Sequence, residues 1–156
     1  MVLVTGMSGA GKSTALAELG RRGHRTVDTD YAGYAAETPD GQMWIESRIS
    51  ELLDDHREGA LFLAGCVPNQ GLFYPRFDAV ALLTAPLELL LSRAAGRSSN
   101  PFGATSEDRH RIATDTAAVE PRLRATATAV IDTRLPPAEV ADHLESLARK
   151  TATDQW

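Results

Sequence analysis

The chain has 156 residues, of which 43% are apolar and 24% charged, a composition typical of one soluble globular domain. Its 16 Lys and Arg against 21 Asp and Glu give a formal charge of −5, which argues against nucleic acid as a partner. A single cysteine excludes an internal disulfide, and no apolar run approaches the roughly 20 residues that span a bilayer. An apolar strand at the N-terminus leaves no room for a targeting peptide, so we expect a cytoplasmic protein, a monomer or a weak homodimer, without membrane or nucleic-acid partners.

The first predicted strand, residues 1–5, leads into a glycine-rich turn and then into a helix predicted over residues 12–21. Residues 6–13 fit the pattern G-x-x-x-x-G-K-[ST], and its position between a strand and a helix makes the match specific. The glycines let the backbone curl around a phosphate, and the helix N-terminus points its dipole at the same anion. The pattern predicts a P-loop that binds a nucleoside triphosphate through Gly6, Ser8, Gly9, Ala10, Gly11, Lys12, Ser13 and Thr14.

Two side chains of this loop have a predicted chemical role. The Lys12 ammonium is expected to reach the β- and γ-phosphates, where it opposes the charge that spreads during phosphoryl transfer. The Ser13 hydroxyl is expected to hold Mg²⁺, which prefers oxygen ligands. ATP and Mg²⁺ are therefore the expected cofactors.

The second predicted strand, residues 24–28, ends in two carboxylates, Asp28 and Asp30. Ligands of open α/β sheets bind at the carboxyl ends of strands, and residues two apart on an extended chain point to the same side. One carboxylate is expected to serve the metal and the other to orient an acceptor hydroxyl and take its proton. The alternative for either is a capping role in the turn that follows.

A turn at residues 38–41 precedes a helix predicted over 42–57, with one apolar face formed by Trp44, Ile45, Ile49, Leu52 and Leu53. Next come a strand over 60–66 and an irregular stretch over 67–76. Arg48 on the helix, and Asn69 and Gln70 in the irregular stretch, are candidate contacts for an acceptor. A solvated helix face and an ordinary polar loop are the alternatives.

The second half continues the alternation of strands and helices. The pattern predicts a strand over 77–84, a helix over 86–95, a loop over 96–104, a helix from 105 with a break near Pro121, a strand over 127–132, a helix over 136–149 and a frayed tail over 151–156. Arg93 and Arg97 are candidate clamps on the phosphates or the adenine, because Arg offers a planar fork and a stacking surface. Arg97 begins a small, polar segment over 97–104 that is predicted to act as a lid.

Apolar strands flanked by helices imply a parallel sheet covered on both faces. The predicted fold is a three-layer α/β/α P-loop fold with a five-stranded parallel sheet and a short lid. Residues 1–150 are predicted to form this single domain.

Several classes of P-loop protein can be tested against the motifs of this chain. GTPases read guanine with N-K-x-D, which the sequence lacks. Motor and AAA-type ATPases need a strand that ends in Asp-Glu, whereas residues 61–66 read Leu-Phe-Leu-Ala-Gly-Cys. A small phosphoryl-transfer kinase that acts on a small-molecule hydroxyl is the class that these tests leave.

Four segments carry a resemblance to known kinases. Asp28-Thr29-Asp30 resembles the D-[TS]-D signature of shikimate and gluconate kinases, and Arg48 with Glu51 resembles the R-x-x-E of the shikimate kinase substrate helix. Arg93 and Arg97 end the helix before the expected lid, as arginines do in that family. Residues 120–124 followed by 130–133 resemble E-P-L-Y…V-V-D-T. The resemblance implies that Asp28 lies nearer the metal and Asp30 nearer the acceptor hydroxyl.

The departures from the shikimate kinase pattern concern the substrate. The Gly-Gly-Gly turn of that family is replaced by residues 65–71, and its substrate-binding arginine falls on Val119. Its R-P-L-L lid motif is replaced by residues 97–103. We therefore expect the fold and the chemistry of the family with a different acceptor. A nucleoside or nucleoside monophosphate kinase is the alternative within this class, and a nucleotide-binding regulatory ATPase is the alternative outside it.

Overall fold

The computed structural model describes residues 1–7, 9–95 and 106–154. The strands and helices of these residues are, in chain order, β1 (Val2–Thr5), α1 (Lys12–Arg21), β2 (Arg25–Asp28), β3 (Ala35–Thr38), β4 (Gly41–Trp44), α2 (Glu46–Asp55), β5 (Leu61–Ala64), a 3-10 segment (Gln70–Arg76), β6 (Ala79–Thr84), α3 (Leu87–Ala95), α4 (Ser106–Thr126), β7 (Ala129–Asp132) and α5 (Pro137–Asp154). No helix among them is long and apolar enough to cross a membrane.

Five strands form one parallel sheet in the order β2-β5-β1-β6-β7. Leu3 of β1 is in register with Leu63 of β5 on one side and with Val80 of β6 on the other. The predicted five-stranded parallel sheet and the α/β/α layering are confirmed. Since the strand order reverses direction at β1, the loop that follows β1 lies at the switch point where such folds bind ligands.

Alternation along the central strands separates two apolar layers. Val2 and Val4 of β1 face α1 and α5, whereas Leu3 faces α2 and the 3-10 segment. Because both faces are covered, the strands are apolar throughout rather than alternating with polar residues. The sheet is therefore buried between two layers, and the loops at the carboxyl ends of its strands remain accessible for a site.

An antiparallel hairpin, β3–β4, stands where the sequence predicts a turn followed directly by a helix. The turn at residues 38–41 is confirmed: the Thr38 hydroxyl donates to the Gly41 carbonyl at 2.7 Å, and Gly41 takes a left-handed φ of 103°. The helix predicted from residue 42 is wrong in its first turn, which is strand. A buried Trp44 is compatible with a helix or with a strand. Its pairing with Ala35 of β3 makes this segment a strand.

The boundaries of two helices also differ from expectation. α4 runs unbroken through Pro121, although a proline removes a helical hydrogen bond. The carbonyl that loses its partner belongs to Ala117, an exposed residue, so water can satisfy it. α5 continues to Asp154, past its predicted end at 149, because no Gly or Pro follows Ala138 to stop it. Residues 151–154, expected to fray, are thus helical, and residues 155–156 lie outside the description.

A cluster of charges joins α1 to α5 on one face of the sheet. Arg22, which caps α1, donates to Glu145, to Asp142 at 2.7 Å and to the Ala138 carbonyl at 2.9 Å. His24 lies 3.3 Å from the same Glu145 carboxylate. The hydrogen bond from Arg22 holds the pKa of Glu145 below its ordinary value, against the opposing effect of burial. The helix pair is therefore stabilised by a carboxylate that must stay ionised.

Replacing Glu145 by Gln should lower the melting temperature at neutral pH and abolish part of the acid sensitivity. A carboxyl whose folded pKa is depressed contributes stability above its unfolded pKa, and that stability is lost as pH falls through the folded value, here over the acidic range below the ordinary pKa of a glutamate. Thermal melts across that range should show the two proteins converging. Glu139→Gln, at the exposed start of α5, is the control, and a constant gap between wild type and Glu145→Gln would contradict the role.

Candidate active site

The candidate site lies along the carboxyl edge of the sheet, on both sides of the loop between β1 and α1. That loop occupies the switch point, β2 and β5 end on one side of it, and β6 and β7 end on the other. The first side carries carboxylates, and the second side carries a pocket of about 680 Å³.

Glycine conformation and close packing fix the shape of the loop. Gly9 has a left-handed φ of 84°, and a Cβ at this position would lie 2.6 Å from the Leu90 carbonyl oxygen of α3. Gly11, at the N-cap of α1, has a φ of 101°. Glycine adopts such a left-handed backbone without strain, and at Gly9 there is also no space for a Cβ beside α3. The chain therefore forms a tight turn at the positive end of the α1 dipole, a geometry suited to an anion.

Lys12 lies folded over this loop. Its ammonium donates to the Gly6 carbonyl and to the Met7 carbonyl at 3.1 Å, and it is partly buried. These contacts hold the positive charge at the mouth of the turn. The structure brings together the residues that are predicted to bind a nucleotide, namely Gly6, Gly9, Ala10, Gly11, Lys12 and Thr14. Their roles toward a nucleotide remain predictions.

The predicted metal residues, Ser13 and Asp28, are in direct contact. The Ser13 hydroxyl donates to an Asp28 carboxylate oxygen at 3.0 Å, across the gap between α1 and β2. The described residues contain no group of three or more His, Cys, Asp or Glu side chains that could hold a metal. A hydroxyl and one carboxylate suit Mg²⁺, which keeps several waters and takes oxygen ligands from substrate phosphates. The donor set fits the predicted ion.

Asp30 lies at the start of a tight turn that ends at Tyr34. The other Asp28 oxygen accepts from the Asp30 backbone N–H at 3.1 Å, so the capping interaction offered as an alternative is present for Asp28. Gly33 has a left-handed φ of 76°, and Ala32 one of 64°, which is uncommon for a residue with a Cβ. Asp30 is exposed at the edge of the crevice, where an acceptor hydroxyl would be reached.

Arg48, predicted to contact an acceptor, braces this turn. It donates to the Gly33 carbonyl at 3.1 Å, and its guanidinium lies 5.3 Å from the centre of the Tyr34 ring. Its side chain is otherwise exposed on α2. The structure therefore supplies Arg48 with a structural function beside the acceptor side of the crevice.

The two predicted amides, Asn69 and Gln70, are likewise engaged within the protein. The Asn69 carboxamide pairs with the Trp44 backbone, with both bonds at 3.0 Å. Gln70 is 3% exposed; it accepts from the Val67 N–H and donates to the Thr5 and Tyr74 hydroxyls. Both amides therefore support the crevice wall through hydrogen bonds within the protein. The contact predicted between each of them and an acceptor stays a prediction.

Arg93 forms one wall of the pocket on the other side of the loop. Its guanidinium donates to the Gly9 carbonyl at 3.2 Å, to the Thr133 hydroxyl at 2.8 Å and to the Thr133 carbonyl at 2.6 Å. The fork thus ties α3 to the P-loop and to the segment after β7. The pocket is lined by Gly9, Gly11, Thr14, Ala15, Arg93, Thr133, Arg134, Leu135, Pro136, Pro137 and Val140.

Several residues of the site were not among the predicted site residues. Thr133 and Arg134 line the pocket although they follow an ordinary strand end, and Arg134 binds Asp132 through paired hydrogen bonds that keep the pKa of Asp132 low. The resemblance of residues 130–133 to a kinase motif was the signal that pointed to this segment. Trp44 and Thr29 are linked by a buried hydrogen bond of 2.8 Å that only the fold reveals.

Some predicted residues lie outside the described part of the chain. Ser8 of the P-loop and Arg97 are among them, together with the lid predicted over residues 97–104. The roles proposed for them stay predictions.

Several solved structures that are similar to this chain are kinases. Shikimate kinase from Acinetobacter baumannii in complex with shikimate is 21% identical with a TM-score of 0.68, covering 96% of this chain and 92% of that chain. A gluconokinase from Sinorhizobium meliloti is 17% identical with a TM-score of 0.61, over 97% and 93%. Deoxyadenosine kinase from M. mycoides with bound dATP is 15% identical with a TM-score of 0.57, over 95% and 98%. These likenesses confirm the predicted fold along nearly the whole chain.

No curated protein sequence matches this chain. Residues 2–113 match the family described as an AAA domain. The missing Asp-Glu pair after β5 argues against the activity of an AAA-type ATPase; this expectation concerns the activity rather than the domain family, and it stays a prediction. The pair is still absent, since Gly65 and Cys66 follow Ala64. The chain therefore belongs to the AAA domain family, with the P-loop fold shared by shikimate, gluconate and deoxyadenosine kinases.

Proposed function

We propose that this protein is an ATP- and Mg²⁺-dependent phosphotransferase that transfers the γ-phosphate to a hydroxyl of a small polar metabolite or natural product. The observation that carries the proposal is the contact of 3.0 Å between Ser13 and Asp28, next to Lys12 and a glycine turn. A hydroxyl and a carboxylate at that place supply metal ligands between a phosphate site and an acceptor edge. The kinase folds of the similar structures support the same class.

The pocket beside Arg93 is the proposed nucleotide-base site. It adjoins Gly9 and Gly11 of the P-loop, and its lining includes Arg93 and Pro136. A planar cation and an apolar ring both suit the face of an adenine. ATP is the proposed nucleotide because the sequence lacks the guanine motif N-K-x-D.

Lys12, Ser13 and Asp28 would hold and neutralise the phosphates, while Asp30 would meet the acceptor. Bound Mg²⁺ would supply positive charge at the bridging oxygens, held by the Ser13 and Asp28 oxygens. Phosphoryl transfer passes through a loose transition state, so positioning and charge neutralisation supply most of the catalysis. Asp30, exposed at the crevice edge, would orient the attacking hydroxyl and accept its proton late in transfer.

The proposed acceptor is an uncharged compound. Arg48 is bonded to the Gly33 carbonyl and lies over Tyr34, and Val119 stands where shikimate kinases place an arginine. The side chains at the acceptor edge include two carboxylates, Asp28 and Asp30. A neutral, hydroxylated compound would suit this edge better than a carboxylate.

A nucleoside kinase is the second candidate. Tyr31, which is 67% exposed, and Tyr34 stand beside Asp30 in the turn after β2, and aromatic rings stack well on a base. A nucleoside is also uncharged, in agreement with the engaged Arg48. The two candidates differ in acceptor alone and share the nucleotide site.

The test of the proposed function is ATP consumption in the presence of Mg²⁺ and pools of neutral sugars, polyols and nucleosides, with the phosphorylated product identified by mass spectrometry. A kinase is nearly idle until its acceptor is present, because water is a poor substitute for a positioned hydroxyl. ATP turnover that no pool stimulates would favour the regulatory ATPase instead.

Lys12→Ala should reduce transfer by about 100-fold or more, as removal of a charge that stabilises the transition state costs about 3 kcal/mol. The melting temperature without nucleotide should change little, because the hydrogen bonds that the ammonium donates to the Gly6 and Met7 carbonyls lie within its own loop. Steady-state kinetics and a thermal melt check both points. Global unfolding of the variant would contradict the assigned role.

Arg93→Lys should weaken ADP binding by about tenfold, since Lys cannot reproduce the three hydrogen bonds of the guanidinium fork to Gly9 and Thr133. Isothermal titration calorimetry with ADP and Mg²⁺ measures the loss. Arg76→Lys, which touches only Asp54 on the surface, is the matched control. Equal affinity of Arg93→Lys and wild type would remove the pocket from the nucleotide site.

Shikimate should not be phosphorylated at a useful rate. Val119 and the turn at residues 65–71 replace groups that would bind the shikimate carboxylate, and each lost interaction is worth about 1–3 kcal/mol. A coupled assay with ATP, Mg²⁺ and shikimate checks this directly. A turnover of about 10 s⁻¹, typical of an enzyme with its own substrate, would overturn the neutral-acceptor proposal.

A further inference from the structure

Trp44, at the end of the β3–β4 hairpin, reaches into the base of the crevice. It is 3% exposed, and its indole N–H donates to the Thr29 hydroxyl at 2.8 Å. That hydroxyl has one proton, which it donates to the Ala64 carbonyl at 2.7 Å, so it accepts from Trp44. The direction of both bonds is therefore fixed by the chemistry of the groups.

Thr29 lies between the two carboxylates that the proposed function uses. Its backbone N–H also donates to Ala64, at 3.0 Å, and its side chain is 1% exposed. With Thr29 pinned inward, the Asp28 carboxylate faces the crevice and meets the Ser13 hydroxyl at 3.0 Å. A shift of Thr29 would move Asp28 relative to Ser13.

Trp44 itself is held from two further sides. The carboxamide of Asn69 binds its backbone N–H and carbonyl, as a neighbouring strand would. Gly65 admits the indole at close range, since a Cβ there would lie 2.9 Å from the ring and 2.5 Å from the Thr29 hydroxyl. These contacts fix the position of the indole N–H.

We propose that Trp44 is a positioning residue for Asp28, acting through Thr29, and that the hairpin thereby sets the geometry of the Mg²⁺ ligands. This inference rests on the proposed function, because it assumes that Ser13 and Asp28 hold the ion. Trp44 touches none of the reacting groups. Its effect should appear in the Mg²⁺ dependence of nucleotide binding and leave metal-free binding unchanged.

The experiment measures ADP affinity by calorimetry at a series of Mg²⁺ concentrations and in EDTA. Trp44→Phe keeps an aromatic ring and removes the N–H, and the loss of one buried hydrogen bond should raise the Mg²⁺ concentration for half-maximal tightening by about fivefold. ADP affinity in EDTA should stay at the wild-type value, because the P-loop is untouched.

Variants of Thr29 separate the hydrogen bond from packing. Thr29→Val should reproduce the shift, and Thr29→Ser, which keeps the hydroxyl, should restore the wild-type Mg²⁺ dependence. The double variant of Trp44→Phe and Thr29→Val should shift no further than Thr29→Val alone, since Thr29→Val already removes the bond from Trp44 together with the one to Ala64. The Thr29 pair decides the question if Trp44→Phe does not fold.

Leu53→Ala is the control for lost stability, because Leu53 is buried in the same apolar layer and has no polar group to contribute. It should lower the melting temperature and leave the Mg²⁺ dependence unchanged. Wild-type Mg²⁺ dependence in both Trp44→Phe and Thr29→Val, or summed shifts in the double variant, would overturn the positioning role alone. A wild-type protein whose ADP affinity ignores Mg²⁺ would overturn the proposed function.

Discussion

The hydrogen bond between Ser13 and Asp28 joins the start of α1 to the end of β2, and the proposed chemistry depends on it. A glycine turn at a helix N-terminus is in itself only an anion site. A metal-assisted transfer also needs an acidic oxygen that faces the same anion from another element. The parallel sheet supplies this, because the carboxyl ends of its strands meet at one edge.

Some polar residues near that edge face the crevice, whereas others form hydrogen bonds that support its walls. Arg48, Asn69 and Gln70 have the composition of ligand contacts, yet each is bonded to the backbone or side chains of a neighbouring segment. Sequence patterns report residue type and spacing, whereas these partners are set by long-range packing. The roles predicted for these residues toward an acceptor therefore stay predictions, beside the internal contacts that only the fold reveals.

The elements predicted correctly are those that local chemistry determines. The P-loop glycines, the apolar central strands and α1 depend on signals within a few residues of each other. The hairpin depended instead on a pairing between residues 35–38 and 41–44, and Trp44 gave the same buried signal for a helix. Pro121 likewise predicts a break unless its lost partner is known to be exposed, which only the fold can tell.

Charge is the strongest constraint on the proposed acceptor. The γ-phosphate of ATP is anionic, and a second anion brought beside it is repelled unless cations lie between them. Among the described residues at the acceptor edge, Arg48 is already bonded to Gly33, and two carboxylates add negative charge. An anionic acceptor held by the remaining N–H donors of Arg48 would pull on the guanidinium that braces the turn carrying Asp30, at a cost to that turn. A neutral hydroxyl compound avoids that cost, because it needs only a carboxylate to orient its hydroxyl and a surface to pack against.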